Sequence, residues 1–266
     1  MALRTALART PGAIARNPVL FVPVVVLLVL EIPQFALQYV HPVLAGVVSL
    51  FLSGVLVFVM PLFQGGVIGM ADEALDGTTS LDRFLEAGRS NYVSLFGASL
   101  AVLALNVVFA VAVGVVVVAL GAAAYATRPG AGGVAALAVA LLLVVLMALA
   151  YLVVIVFCQF YGQAIVLEGT GAVDGFRRSV SVVRENPVSV AGYTLLVGTV
   201  GAVAGVVFGA LSAFASPRTM LVLGLPRPPL GLVVAVGAAL LVGGALFGTV
   251  VGTLSVAYYR ALLDEG

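Results

Sequence analysis

The polar groups of this chain are few, and their spacing decides what chemistry they could do. Glu31, Gln34 and Gln38 follow one another at steps of three and four, so a helix carries them on one face. Glu31 is the one acid that lies away from the charged segments of the chain, at the end of the apolar run 19–30. An acid in hydrocarbon is costly, and such a group is a natural proton or cation site. The competing expectation is that Pro33 closes the apolar run and leaves Glu31 among headgroups. From Pro18 to Glu31 a helix rises only about 20 Å, short of a full crossing. Asn106 lies inside another apolar run and is expected to hydrogen-bond to a neighbouring helix. Gln64, Gln159 and Gln163 sit toward the ends of two more, where they would either line a shared polar cavity or cap the bundle.

Familiar catalytic patterns do not occur. His41 has no companion at metal-ligand spacing, and Cys158, the single cysteine, has no nearby histidine and no disulfide partner within the chain. There is no Gly-x-x-x-x-Gly-Lys loop, no His-Glu-x-x-His and no Gly-x-Ser-x-Gly. The acids an enzyme would need, Asp72, Glu73, Asp76, Glu168 and Asp174, fall in segments of mixed charge, the usual composition of a solvated loop. The expectation is a protein without catalysis, cofactor or metal.

The elements that hold these residues follow from composition. Of 266 residues, 63% are hydrophobic and 9% charged. Several uninterrupted apolar runs of membrane length make the chain a polytopic membrane protein. Backbone groups in lipid must pair internally, and the runs are continuous rather than alternating, so the fold class is an all-α membrane helix bundle. Six spans fit, at 18–38, 43–70, 93–124, 133–166, 187–214 and 229–259. The basic segment before the first is not a signal peptide, since no small-residue cleavage site follows it. A net charge of +1 with no basic run argues against a nucleic-acid partner. Every basic residue is arginine; nine lie on one side of the predicted topology and three, Arg128, Arg218 and Arg227, on the other. That asymmetry puts both termini in the cytoplasm of a cell-membrane protein.

The charged segments themselves repeat a pattern. In 172–185 the apolar residues Val173, Phe176, Val180 and Val183 recur at steps of three and four, with Arg177, Arg178 and Arg184 elsewhere on the circumference. Thr170 or Gly171 is expected to cap it, and Asn186-Pro187 to end it. Upstream, Leu81, Phe84, Leu85 and Gly88 make a similar face beside Arg83 and Arg89, with Thr79 and Asp82 approximating a capping box. The three segments end Arg16-Asn17-Pro18, Arg89-Ser90-Asn91 and Arg184-Glu185-Asn186-Pro187. The unit is a surface helix, an Arg/Asn junction and a pair of spans, repeated over about 1–70, 71–166 and 167–266 of a single integral-membrane domain. Within the last two spans Gly201, Gly205 and Gly209, and Gly244, Gly248 and Gly252, are each spaced by four, which predicts close packing of the one span on the other. Gly65 and Gly69 are a weaker instance. Tyr92, Tyr151, Tyr161, Tyr193, Tyr258 and Tyr259 read as interface anchors.

This layout, with the passage Gly171-Ala172-Val173-Asp174-Gly175-Phe176-Arg177-Arg178-Ser179 leading to Arg184-Glu185-Asn186-Pro187, resembles the archaeal and bacterial six-span integral-membrane proteins related to the membrane domain of glycerophosphodiester phosphodiesterases. In those families a similar passage follows the fourth span. The resemblance implies a membrane module and lends no catalytic residue. The function expected is a non-enzymatic membrane protein whose arginine-bearing helices engage anionic lipid or a membrane or cytoplasmic protein partner. The alternative is a small transporter with a polar site between spans.

Overall fold

The computed structural model of the chain describes residues 2–126 and 131–265, with the side chains of residues 31, 34–36, 38–40, 42, 131, 217, 218 and 265 outside that description. The side chains of Glu31, Gln34, Gln38 and Arg218, and the whole of Arg128, therefore lie outside the described residues. The described chain is all-α. A short helix α1 (Ala2–Arg16) leads through a 3-10 turn (Pro18–Leu20) into α2 (Phe21–Val40) and then α3 (Pro42–Asp76). A second short helix, α4 (Leu81–Ser90), precedes α5 (Tyr92–Ala126) and α6 (Ala131–Cys158), which continues after a break as α7 (Tyr161–Glu168). A third, α8 (Ala172–Glu185), precedes α9 (Pro187–Ala215); α10 (Pro217–Val222) and α11 (Leu230–Glu265) complete the chain.

Five segments are long and apolar enough to cross a membrane: Val43–Asp76, Tyr92–Ala126, Gly132–Glu168, Pro187–Ala215 and Leu230–Asp264. A sixth is counted if Ala2–Arg16 and Pro18–Leu30, bent by 96° at Asn17, are taken as one broken span. That bend is the geometry expected of a helix lying across the end of a bundle and feeding a span. Proline starts several helices where its missing N–H costs nothing: Pro18 after Asn17, Pro42 after His41, Pro187 after Asn186. His41, alone in sequence, caps α3, its Nδ1 accepting from the Leu44 N–H at 3.3 Å.

At 35 residues, α3 and α5 are each about 52 Å long, well beyond the ~30 Å hydrocarbon core. Asp72 and Asp76 lie in the last two turns of α3, at its charged end. The packed core lies at this same end. It is built from Ala6 and Ala13 of α1, Met70 and Ala74 of α3, Phe84 of α4, Ala164 of α7, Val182 of α8, Val190 of α9 and the last turns of α11. Along the spans, by contrast, at most 11% of the most apolar stretch of any helix is buried. Exposed apolar helices of this length belong in lipid, and the chain is a multi-pass membrane protein.

Glycine sets how closely the elements meet, though not where the regular spacing predicts. A Cβ on Gly66 of α3 would lie 2.3 Å from the Phe84 ring, and one on Gly69 2.3 Å from the Ala87 Cβ, so α4 beds directly on α3. The α9 stripe differs from expectation: nothing lies within 4 Å of a Cβ built on Gly205 or Gly209, and Gly201 reaches only Phe247 at 3.9 Å. The α11 stripe turns instead to α2 and α3, with Gly244 on Leu28 (3.2 Å), Gly248 on Val24 (3.0 Å) and Gly252 on Val67 (3.6 Å). A Cβ on Gly243 of α11 would lie 3.0 Å from the Phe208 ring of α9, one of several contacts between these two helices.

Candidate functional site

The three junction asparagines adopt one geometry. Each takes the carbonyl four residues back with both its backbone N–H and its side-chain amide. For Asn17 this is Ala13 O (3.1 and 2.9 Å), for Asn91 Ala87 O (3.3 and 2.9 Å), and for Asn186 Val182 O (3.1 and 3.3 Å). The side chain thus gives that carbonyl a second donor in the last turn of the helix, just where the chain turns into the next one. Asn17 does more. It is buried, it also donates to Gly77 O at 2.9 Å, and its Oδ1 accepts from the Thr79 N–H at 2.9 Å. The first junction therefore holds the loop after α3. Thr79 does not take the expected capping role: Ser80 caps α4, its Oγ accepting from the Arg83 N–H at 3.4 Å. At α8 the cap position is Gly171, without a side-chain bond.

Two polar knots join these segments, and adjacent residues of α11 serve both. Arg260 donates to Asp76 Oδ2 (2.8 Å) and to Asp72 O (3.1 Å), and pairs with Asp72 Oδ1 at 3.3 Å. Arg9 of α1 reaches the other Asp76 oxygen at 3.2 Å. The neighbouring Tyr259 donates to Glu168 Oε1, and Arg178 Nε donates to both Glu168 oxygens at 3.1 and 2.9 Å. Burial disfavours the charge on Arg178, but Glu168, with help from Tyr259 and Glu185, outweighs it and holds the guanidinium pKa above its ordinary value. Glu168 is set at the end of α7 by Gly169, whose φ of 66° is the left-handed stop that glycine supplies.

Beneath the knots lies an aromatic cluster. Tyr193 stacks on Tyr258 with ring centres 4.2 Å apart, and Phe160 meets Tyr193, Tyr258 and Tyr259 at 5.8, 5.9 and 5.7 Å. Three of the tyrosines expected at the membrane interface are thus buried in the core, with Tyr258 bonded to Ser189 Oγ at 2.9 Å. Tyr92 bonds Phe58 O of α3 at 2.9 Å. Ser179, the last residue of the Gly171–Ser179 passage, bridges the break between α6 and α7. Its Oγ donates to Phe157 O (2.8 Å) and accepts from the Phe160 N–H (3.0 Å), pairing two backbone groups that the break frees.

The other polar candidates are placed separately. Asn106 accepts from the Tyr151 hydroxyl across α5 and α6, beside Phe109 stacked on Tyr151 at 4.4 Å, so Tyr151 is a mid-helix partner rather than an anchor. Gln159 exchanges bonds with Thr194 of α9 (3.1 and 3.3 Å). Gln163 donates to Ser255 of α11 at 3.2 Å, and Gln64 accepts from Tyr161 at 3.3 Å. Each glutamine ties a different pair of helices, and only Gln64 lines a groove of about 500 Å³ between α2, α3, α5 and α7. Among the described residues no three His, Cys, Asp or Glu side chains gather as a metal site.

The arginines divide by partner. Arg83 pairs with Glu86 (3.3 Å) and Arg177 with Asp174 (3.1 Å) on their own helices, and Arg178 turns to Glu168. Arg16, Arg89 and Arg184 are exposed, and none of them lies in an ion pair among the described residues. They stand one, two and two residues before the three junction asparagines. The model of the family described as a domain of unknown function (DUF7847) matches residues 1–262, so the chain belongs to that family. No curated protein and no solved structure matches it.

Proposed function

We propose that this member of the DUF7847 family is a non-catalytic membrane module, a threefold repeat of surface helix and span pair, that gathers anionic lipid headgroups around its three helix-to-span junctions. The observation that supports this is the recurrence of one exposed arginine without an acidic partner, Arg16, Arg89 or Arg184, beside each Asn-capped junction. An arginine held where a surface helix turns into a span sits at headgroup depth, and its planar fork suits phosphate oxygens. Near an anionic leaflet each such residue is worth about 1 kcal/mol. The excess of arginine at this end supports an orientation with both termini in the cytoplasm of a cell-membrane protein. The likeness of 171–187 to the membrane part of glycerophosphodiester phosphodiesterases supports a kindred module there, one that works without chemistry of its own.

The test is lipid retention. The full chain is reconstituted in discs of mixed anionic and zwitterionic phospholipid and then extracted, and the lipids that stay bound are counted by native mass spectrometry. Wild type is expected to enrich anionic lipid, and the triple variant R16Q/R89Q/R184Q to lose the enrichment while keeping its fold. Equal retention by both overturns the reading. A protein partner lost with the same three arginines, lipid retention unchanged, would transfer the surface to that partner.

A further inference from the structure

We propose that the groove between α2, α3, α5 and α7 binds one acyl chain of a membrane glycerolipid, with the lipid's linkage oxygen on Gln64. The groove is open and has a volume of about 500 Å³, within the roughly 300–1,000 Å³ range of ligand sites. Its walls are hydrocarbon, with Leu27 from α2, Phe63 from α3 and Val102 from α5, and it lies open between helices whose apolar stretches are left almost wholly unburied. What surrounds such helices is lipid.

Its polar end makes it more than a gap between helices. Gln64 accepts from the Tyr161 hydroxyl at 3.3 Å through its carbonyl oxygen, and its amide N–H2 has no acceptor among the described residues. Room for that amide comes from Gly162, where a Cβ would stand 2.5 Å from Gln64 Nε2. The groove therefore presents an apolar bed ending in a free donor, which matches a hydrocarbon chain ending in an ester or ether oxygen. Its two flanking rings rest on the surface helices. Phe63 meets Phe84 of α4 at 5.2 Å, and Tyr161 meets Phe176 of α8 at 4.9 Å. The linkage end of a bound lipid is thus framed by the residues that seat α4 and α8, and its headgroup lies on the side of the arginines. Chain binding needs the groove and not the junction arginines, so the two readings fail separately.

The full chain in lipid discs containing a glycerophospholipid with a photoactivatable diazirine in mid-chain tests this directly. After irradiation, adducts are expected to concentrate in 60–67 and 99–102. Filling the groove with Ser99→Phe is expected to cut those adducts at least about fivefold, by the ordinary cost of overpacking, while adducts on α6 stay level. Leu27→Phe fills it from the opposite wall and gives the same result without touching α5. R16Q/R89Q/R184Q is expected to retain the groove adducts. Adducts spread evenly over all the lipid-facing helices of the wild type overturn the proposal, as do groove adducts that survive both filling variants.

Discussion

One helix, α11, passes through two different environments. Near its end Tyr258 and Tyr259 have no exposed surface, packed against Phe160 and, for Tyr258, Tyr193, and bonded through their hydroxyls. Some four turns earlier Val242 and Leu246 are 62% and 50% exposed. The same contrast holds for the molecule. The charged end has a dense core, capped junctions and ion pairs between distant segments, while the spans touch sparingly and leave their apolar sides to lipid. A soluble protein puts its core in the middle and its charges outside. Here the interior packing sits where water begins, because lipid already solvates the spans and no hydrophobic force drives them together. The fold is fastened at one end.

Glycine substitutions break this comparison most sharply. Gly66→Leu drives a side chain into the Phe84 ring and toward Phe84 O at 2.7 Å; the expected loss is about 3 kcal/mol, the upper part of the overpacking range, read as a lower midpoint in denaturant titration in detergent. Next comes Ser179→Ala, which leaves the Phe157 carbonyl and the Phe160 N–H unpaired in the core and is expected to cost about 2 kcal/mol. Hydrogen exchange should rise at 157–161 before it rises elsewhere. Arg260→Gln removes the charge that joins α11 to Asp72 and Asp76; because the cluster is partly exposed, the expected cost is about 1 kcal/mol, halved again in high salt. Smallest is Gly205→Ala on the open face of α9, expected within about 0.5 kcal/mol of wild type in the same titration. If Gly205→Ala cost as much as Gly66→Leu, the spans would be packed after all and the contrast would be lost.

The broad plan was legible in the sequence for a physical reason: a helix in lipid must be apolar for its whole length, so each span announces itself. The junctions were legible too, since an asparagine that caps a helix end and turns the chain into a span is a local device, and Asn17, Asn91 and Asn186 each carry it within a few residues. What escaped was everything that depends on who the neighbour is. Gly205 and Gly209 have the regular spacing but face no helix, and Gly201 only brushes Phe247, whereas Gly65, Gly66 and Gly69 have the poorer spacing and take α4. Tyrosine suits a membrane interface and a polar-satisfied core equally, so Tyr193, Tyr258 and Tyr259 could not be told from anchors by position. Arg178 looked like a surface group because Glu168, its partner, lies ten residues away across a turn. Ser179 stands in the passage that carries the resemblance, but its role left no trace, since a serine that mends a break in another helix has no pattern of its own.

Tyr259 and Arg260 stand side by side, yet they clasp segments made 91 and 184 residues earlier. Every span ahead of α11 is made before that pair. Until then Asp76 has only Arg9 and Glu168 only Arg178 as a charged partner, and the clasp that ties both segments to α11 is the last to form. A chain stopped at residue 258 would be membrane-embedded but unlatched, and protease added from the charged side should cut it at 77–80 and 169–171 while sparing the finished protein.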